Sequence, residues 1–341
     1  MYTNLPYAQV LSPPNPQLKW EDTRMINYAV DFSLFNGRIR SEFEYFTKKS
    51  SDLIAPQVLD PTTGFINADR NVGEMRSRGF DAQLTGSNRF GNFYWNSSIA
   101  LSYVKDVVTK YDGVIGATSN YVLDAGLSLQ PLPDKGLYPV FSYRFAGLDP
   151  ADGSPQGYLQ DEISTDYTKL LADSLKYLHY HGSGLPPYHG FWSNTIGWKN
   201  LELFVNVAYK FGHYFRQQTI NYSSLFNSWS GHTDINKRWR QPGDEAHTTV
   251  PSMVYPANSN RDLFYGRSDA TIDKGDLIRL QDIRVSYAMA APFLANRNIN
   301  IQYYFNISNI GLLWTANDQW RDSDYSTPPS KSYRFGLTAT F

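Results

Sequence analysis

The sequence predicts an all-β fold: an antiparallel transmembrane β-barrel, or part of one, with long extracellular loops. Three observations carry that reading. In the final stretch, Tyr333, Phe335, Leu337, Ala339 and Phe341 alternate with small or polar residues, a period of two that makes one face apolar and the other wet. Aromatic residues make up 16% of the chain while its mean hydropathy is only -0.45, as expected when lipid-facing and lumen-facing positions alternate. Finally, short turns and long connections alternate strictly along the chain, the rhythm of short periplasmic turns and long outside loops in outer-membrane barrels.

In chain order, residues 1 to 20 are polar and proline-rich and read as a loop. Ile26, Tyr28, Val30, Phe32 and Leu34 then alternate with Asn27, Ala29, Asp31 and Ser33. Asn36-Gly37 is a tight-turn signal, and Ile39, Phe43 and Tyr45 follow, against Arg38, Arg40, Glu42 and Glu44 on the other face. Residues 50 to 74 read as a polar connection. Phe80, Ala82 and Leu84 open the next strand, a turn is expected at Asn88 to Asn92, and Phe93, Trp95, Ile99, Leu101 and Tyr103 line its partner. A very long connection runs from about Lys105 to Tyr188, with helical spacing at Leu171, Leu175 and Leu178.

Phe191 to Trp198 and Leu201 to Tyr209 form a hairpin across Lys199-Asn200, followed by a second long connection from about Phe211 to Asp276. Between Leu277 and Met289 the apolar parity switches near Gln281-Asp282, which predicts a β-bulge. A turn over Ala290 to Arg297 leads to the strand carrying Ile299, Ile301, Tyr303, Phe305 and Ile307, and residues 308 to 331 loop out before the last strand. Nine strands result. Single-chain bacterial barrels close on an even number, so the chain is expected to be the C-terminal part of a larger barrel. Met1 to Pro6 lacks the basic start and apolar run of a signal peptide, which fits the same expectation.

The net charge of -1 gives no reason to expect nucleic acid as a partner, and the absence of cysteine excludes disulfides and Cys-ligated metal. No Gly-x-Ser-x-Gly, His-Glu-x-x-His or phosphate-binding Gly-rich loop occurs, so no enzyme class is indicated and no cofactor is expected.

Several segments, in order, carry a family resemblance: Asn15-Pro16-Gln17-Leu18-Lys19-Trp20-Glu21; Lys48, Lys49 and Asp52-Leu53-Ile54; Asn71-Val72-Gly73 with Gly79-Phe80-Asp81; Gly147-Leu148-Asp149-Pro150 with Gly153; Arg238-Trp239 with Pro242-Gly243-Asp244; Leu280 to Tyr287; and Pro328 to Tyr333 before Phe335-Gly336-Leu337 and Phe341. Together they resemble the C-terminal barrel half of SusC/RagA-type TonB-dependent outer-membrane transporters. Ser77 and Asp81 depart from that family's Asn and Glu. The resemblance implies a barrel of roughly 22 strands around a plug domain, with the plug and first strands outside residues 1–341. It further implies coupling to the TonB system through that missing part, a SusD-like surface lipoprotein as lid, and energised import of oligosaccharides or peptides across the cell outer membrane. Outer-membrane lipid would surround the barrel.

For ligand contact the candidates are the loop aromatics Trp229, Trp239, Phe264, Tyr265, Trp314 and Trp320, whose faces suit sugar or peptide stacking and equally suit packing of loop on loop. Tyr28, Trp95, Tyr209 and Tyr303 at strand ends read as girdle residues at the lipid interface. Tyr333, Phe335 and Phe341 read as the barrel-assembly signal. His179 and His181 have metal-ligand spacing without a visible third ligand, Asp149 to Gly153 reads as a plain turn, and the loop carboxylates Asp322 and Asp324 read as solvated. The alternative to a transporter is a self-contained surface β-protein that binds glycans or mediates adhesion.

Overall fold

The computed structural model describes residues 12–122, 129–290 and 300–340. Nine strands form one antiparallel sheet in which each pairs only with its neighbours in sequence. They are β1 (Asp22–Leu34), β2 (Ile39–Val58), β3 (Asn67–Phe90), β4 (Phe93–Tyr111), β5 (Tyr188–Trp198), β6 (Leu201–Phe211), β7 (Leu277–Ala290), β8 (Asn300–Thr315) and β9 (Ser332–Thr340). The sheet is open, with β1 and β9 at its two edges. The expected turn over Ala290 to Arg297 falls almost wholly outside the described residues, and so does Phe341.

The turn between β1 and β2 places Phe35, Asn36 and Gly37 at φ 55, 56 and 84°, the left-handed region that an Asn-Gly pair supplies at little cost. The bulge in β7 is at Gln281. Against β6, Leu280 faces Val207 while Asp282 faces Asn206, so Gln281 is left over. The register also breaks there against β8, where Leu280 faces Gly311 and Asp282 faces Ser308.

The strand ends differ from expectation. Residues 50 to 74 are not a polar connection: β2 continues to Val58 and pairs with β3 down to Asn67, leaving only residues 59–66 between them. β8 likewise runs on to Thr315, and the turn between β3 and β4 shortens to residues 91–92. The physical reason is that the apolar alternation exists only where one face meets lipid. Beyond that height the outward positions turn polar (Thr47, Lys49, Arg76, Arg78), and the hydropathy pattern stops while the hydrogen-bond ladder continues.

The register aligns the apolar positions of all nine strands on one face. One cross-strand row reads Tyr28, Tyr45, Phe80, Tyr103, Tyr188 and Phe211. Adjacent rings touch along it, with centroids 5.6 Å apart for Phe80–Tyr103 and 4.6 Å for Tyr103–Tyr188. Near the short turns a second row holds Phe93, Trp198, Leu201, Tyr287, Tyr303 and Leu337, with Trp95 two residues in from Phe93. Roughly ten residues separate the two rows on β4, β5 and β6. At ~3.4 Å per residue and a tilt of ~40° they stand about 25 Å apart, the height of the lipid-facing band of outer-membrane barrels. Between them lie Val30, Phe43, Leu101, Trp192, Val205, Val285 and Phe305, while the opposite face carries Asp31, Glu42, Gln83, Ser98, Asn206, Arg284 and Arg334.

No helix among the described residues is long and apolar enough to cross a membrane.

Candidate functional site

The long connections over residues 112–187, 212–276 and 316–331 all leave the same end of the sheet, and they fold together. In the first are short strands and helix α1 (Tyr167–Leu171), followed by a turn of 3₁₀ helix at Leu175–Tyr177. This is where helical spacing was expected, though the helix starts earlier and breaks. The second carries α2 (Tyr222–Ser228) and α3 (Ser259–Gly266), whose first turns are capped by the side chains of Asn221 and Asn258.

The joint core of these connections contains Tyr121, Val122, Phe141, Tyr143, Tyr167 and Leu170 from the first, closed by Phe264 from the second. A smaller cluster unites Ile220, Tyr222 and Val250. Polar bonds tie the same segments. One Arg216 nitrogen donates to the carbonyl of Phe141 at 2.7 Å, and another to the carbonyl of Ser268 at 3.2 Å and the hydroxyl of Thr271 at 3.0 Å. The connections therefore form a folded cap with its own apolar interior.

Under the cap, against the ends of β6 and β7, is a cavity of about 1100 Å³. All three connections reach it: Tyr138 and Phe141 from the first, His213 and Gln217 from the second, Trp320 and Tyr325 from the third. Its barrel-side wall is an ion-pair cluster. Arg279 on β7 donates to Asp322 at 2.6 Å and to Asp324 at 3.0 Å, and its guanidinium lies 4.9 Å from the Tyr325 ring centroid. Lys210 on β6 donates to the other oxygen of Asp324 at 2.7 Å. His213 Nε2 and Ser323 Oγ share a 3.1 Å hydrogen bond, and burial lowers the His213 pKa. The mix of rings and hydrogen-bonding groups suits a polar, flexible ligand better than an apolar one.

The loop aromatics part company in this arrangement. Phe264 is fully buried in the cap core, and Trp239 is buried over Gly153 with its indole N–H donating to Glu245 at 3.0 Å. Both faces are spent on packing, so neither ring is presented to a ligand here. Tyr265 is also buried, with its pKa pushed up to about 12 by burial, though it borders a second cavity of about 710 Å³. Trp320 is 59% exposed and lines the main cavity; Trp229 is 92% exposed at the C-terminus of α2. Trp314 packs against Phe211 at 6.3 Å and stands across β7 from Tyr209, both facing Ile278, on the outward side of the sheet and not in the cavity. Tyr28 and Tyr303 lie in the two aromatic rows, and Trp95 lies one outward position inside the lower one. Tyr209 lies one position inside the upper row, its hydroxyl donating to the Ala100 carbonyl at 2.6 Å across Gly190.

Asp322 and Asp324 are not simply solvated. The Asp322 side chain is 8% exposed and Asp324 22%, and both are held by Arg279. Sequence reading missed this cluster because its partners lie 43 and 45 residues apart, with no local pattern to link them. His179 and His181 stack at 4.2 Å, but His179 faces Asp269 at 3.3 Å and His181 Nε2 shares a 2.7 Å hydrogen bond with Ser142. Among the described residues no group of three or more His, Cys, Asp or Glu is placed to hold a metal. Asp149 and Asp152 accept from the backbone N–H groups of Ala151 and Ser154, as a turn requires.

Fold and faces define an outer-membrane β-barrel wall with a capped interior. Residues 2–134 match the family described as TonB dependent receptor-like, beta-barrel. The chain is 27% identical over 96% of its length to TonB-dependent receptor P26 of Formosa agariphila, and 30% identical over 33% of its length to TonB-dependent receptor SusC of Bacteroides thetaiotaomicron. Its fold matches the solved RagAB peptide transporter over 96% of the chain, with TM-score 0.71 at 20% identity. Over residues 2–134 the chain matches the TonB-dependent receptor β-barrel family, and over nearly its whole length it is similar to TonB-dependent receptors, the resemblance its motifs indicated. It spans 35% of the length of P26, 11% of SusC and 36% of the solved transporter chain.

Proposed function

We propose that residues 1–341 are the C-terminal barrel portion of a SusC/RagA-type importer, with the plug domain and first barrel strands outside this chain. The cavity beneath the cap is part of the cargo path. Its cargo is an oligosaccharide or a peptide, taken up with energy delivered by the TonB system to the missing portion. A SusD-like surface lipoprotein would close over the cap. One observation carries this reading: nine strands hold their apolar rows in register on one face and a charged, hydrogen-bonding row on the other, and the polar face ends under a folded cap with a cavity.

Trp320 and Trp229 are the cargo-contacting aromatics in this account, since their rings remain open. Tyr333 and Phe335 point outward on β9, 62% and 76% exposed. With Phe341 they form the signal by which the last strand is recognised during assembly. The solved structure whose fold it shares is a peptide transporter, which supports the peptide class. The discriminating experiment measures binding of oligosaccharide and peptide panels by the full-length receptor, with and without Trp320→Ala. Binding of one class that weakens about tenfold in the variant supports the reading; binding of neither class rejects it. A self-contained adhesin would remain soluble without detergent, and the two open edges of the sheet speak against that state.

A further inference from the structure

Just beyond the upper aromatic row, on the lipid-facing side, rings give way to cations. Two residues toward the cap from Tyr45, Phe80 and Tyr103, the outward row reads Thr47, Arg78 and Lys105. The next outward row reads Arg24, Lys49, Arg76 and Val107. Arg24 and Lys49 have their own carboxylates, Asp22 at 3.1 Å and Glu74 at 3.2 Å. Arg76, Arg78 and Lys105 are exposed, and among the described residues their side chains have no ion-pair or hydrogen-bond partner.

Arg78 and Lys105 stand directly opposite each other across β3 and β4, and Arg76 shares their face. Like charges opposed across a strand pair repel, so the sheet gains nothing from this arrangement. An anion seated between them would reverse the sign. β3 and β4 are flanked on both sides by strands already present, so no further barrel strand adjoins the three cations. At this height the outside of an outer-membrane barrel meets the headgroup layer of the outer leaflet. Guanidinium and ammonium groups beside a phosphate form charge-assisted hydrogen bonds.

We infer that Arg76, Arg78 and Lys105 seat a phosphate-bearing headgroup of an outer-leaflet lipid, whose acyl chains lie against the rings of Phe80 and Tyr103. The inference rests on the outer-membrane assignment and not on the cargo reading, so failure of one leaves the other standing. Each cation within the headgroup layer contributes about fivefold in affinity, about 1 kcal/mol.

The test is a titration of the full-length receptor with diphosphoryl lipid A, read by native mass spectrometry. The variant carries Arg76→Gln, Arg78→Gln and Lys105→Gln; an unchanged heat-modifiable band on gels certifies its fold. Affinity is expected to fall about a hundredfold in the triple variant and about fivefold in each single one. Arg284→Gln with Arg334→Gln, on the lumen face, leaves it unchanged. Dephosphorylated lipid A binds the native and triple-variant receptors alike and weakly. Equal affinity of native and variant receptors for the diphosphoryl lipid would overturn the proposal. So would binding of inorganic phosphate as tight as that of the diphosphoryl lipid, or loss of the effect when only the lipoprotein partner is removed.

Discussion

Arg279 and Asp322 form a 2.6 Å ion pair in which each side chain is only 8% exposed. It joins a barrel strand to the last extracellular connection. Buried pairs like this add little net stability, but removing one partner strands the other charge at a cost of about 3–5 kcal/mol. Here Asp324 shares the guanidinium and also takes Lys210, so the connection has two anchors on the barrel.

Arg279→Ala should therefore free residues 316–331 from the wall without unfolding the barrel. Hydrogen exchange is expected to rise in that segment and stay low in β6 and β7. Arg279→Lys rescues only partly, because the shorter lysine must reach the place of the one Arg279 nitrogen that donates to both carboxylates, and it loses the planar guanidinium beside the Tyr325 ring. Uniform exchange throughout the barrel after Arg279→Ala would show the pair to be structural for the whole sheet.

Phe264→Ala and Trp320→Ala should separate packing from contact. Phe264 has no exposed surface, and its loss should cost the cap about 3–5 kcal/mol, read as a lower unfolding temperature of the cap. Trp320→Ala should leave that transition in place and weaken cargo binding. If the two variants behave alike, the division between buried and presented aromatics is wrong.

Gly79 is set by a close approach on β3: a Cβ there would drive into the Tyr103 carbonyl oxygen, with the Phe46 ring above it. Gly86, on the same strand, faces open space. Gly79→Val is expected to block assembly, seen as loss of the heat-modifiable band, while Gly86→Ala assembles normally.

The cap should loosen in mild acid. His181 has its pKa lowered from 6.5 to about 4, first by burial and then by His179 and Arg216. The unfolded segment therefore binds more protons between these values. This contribution to stability is complete above pH 6.5 and is lost as pH falls toward about 4. Hydrogen exchange over residues 139–142 and 179–183, where Ser142 pairs with His181, should rise across that window. His181→Gln should flatten the dependence.

What could be read from the residues was set by where lipid imposes a pattern. Val205, Val207 and their neighbours alternate because hydrocarbon meets every second side chain, and the parity break at Gln281 marked its bulge from sequence alone. The upper halves of β2 and β3 were illegible, since pairs such as Thr47↔Arg78 and Lys49↔Arg76 are polar and leave no apolar alternation to read. The cap was illegible for another reason. The burial of Phe264 against Tyr143 and Tyr167 is decided by residues about 100 positions away, and a wet-looking loop aromatic shows none of this locally.

The central claim is that one face of the sheet meets hydrocarbon and the other an aqueous pore. The chain has no cysteine, so single cysteines from Leu201 to Phe211, with any cysteine elsewhere in the full-length receptor replaced, can be spin-labelled in the receptor reconstituted in lipid. Oxygen accessibility should peak at Leu203, Val205 and Val207, and a water-soluble relaxation agent should peak at Glu202, Phe204 and Asn206. Low access to both reagents at Leu203, Val205 and Val207 would place those side chains in a dry protein interior and contradict the account.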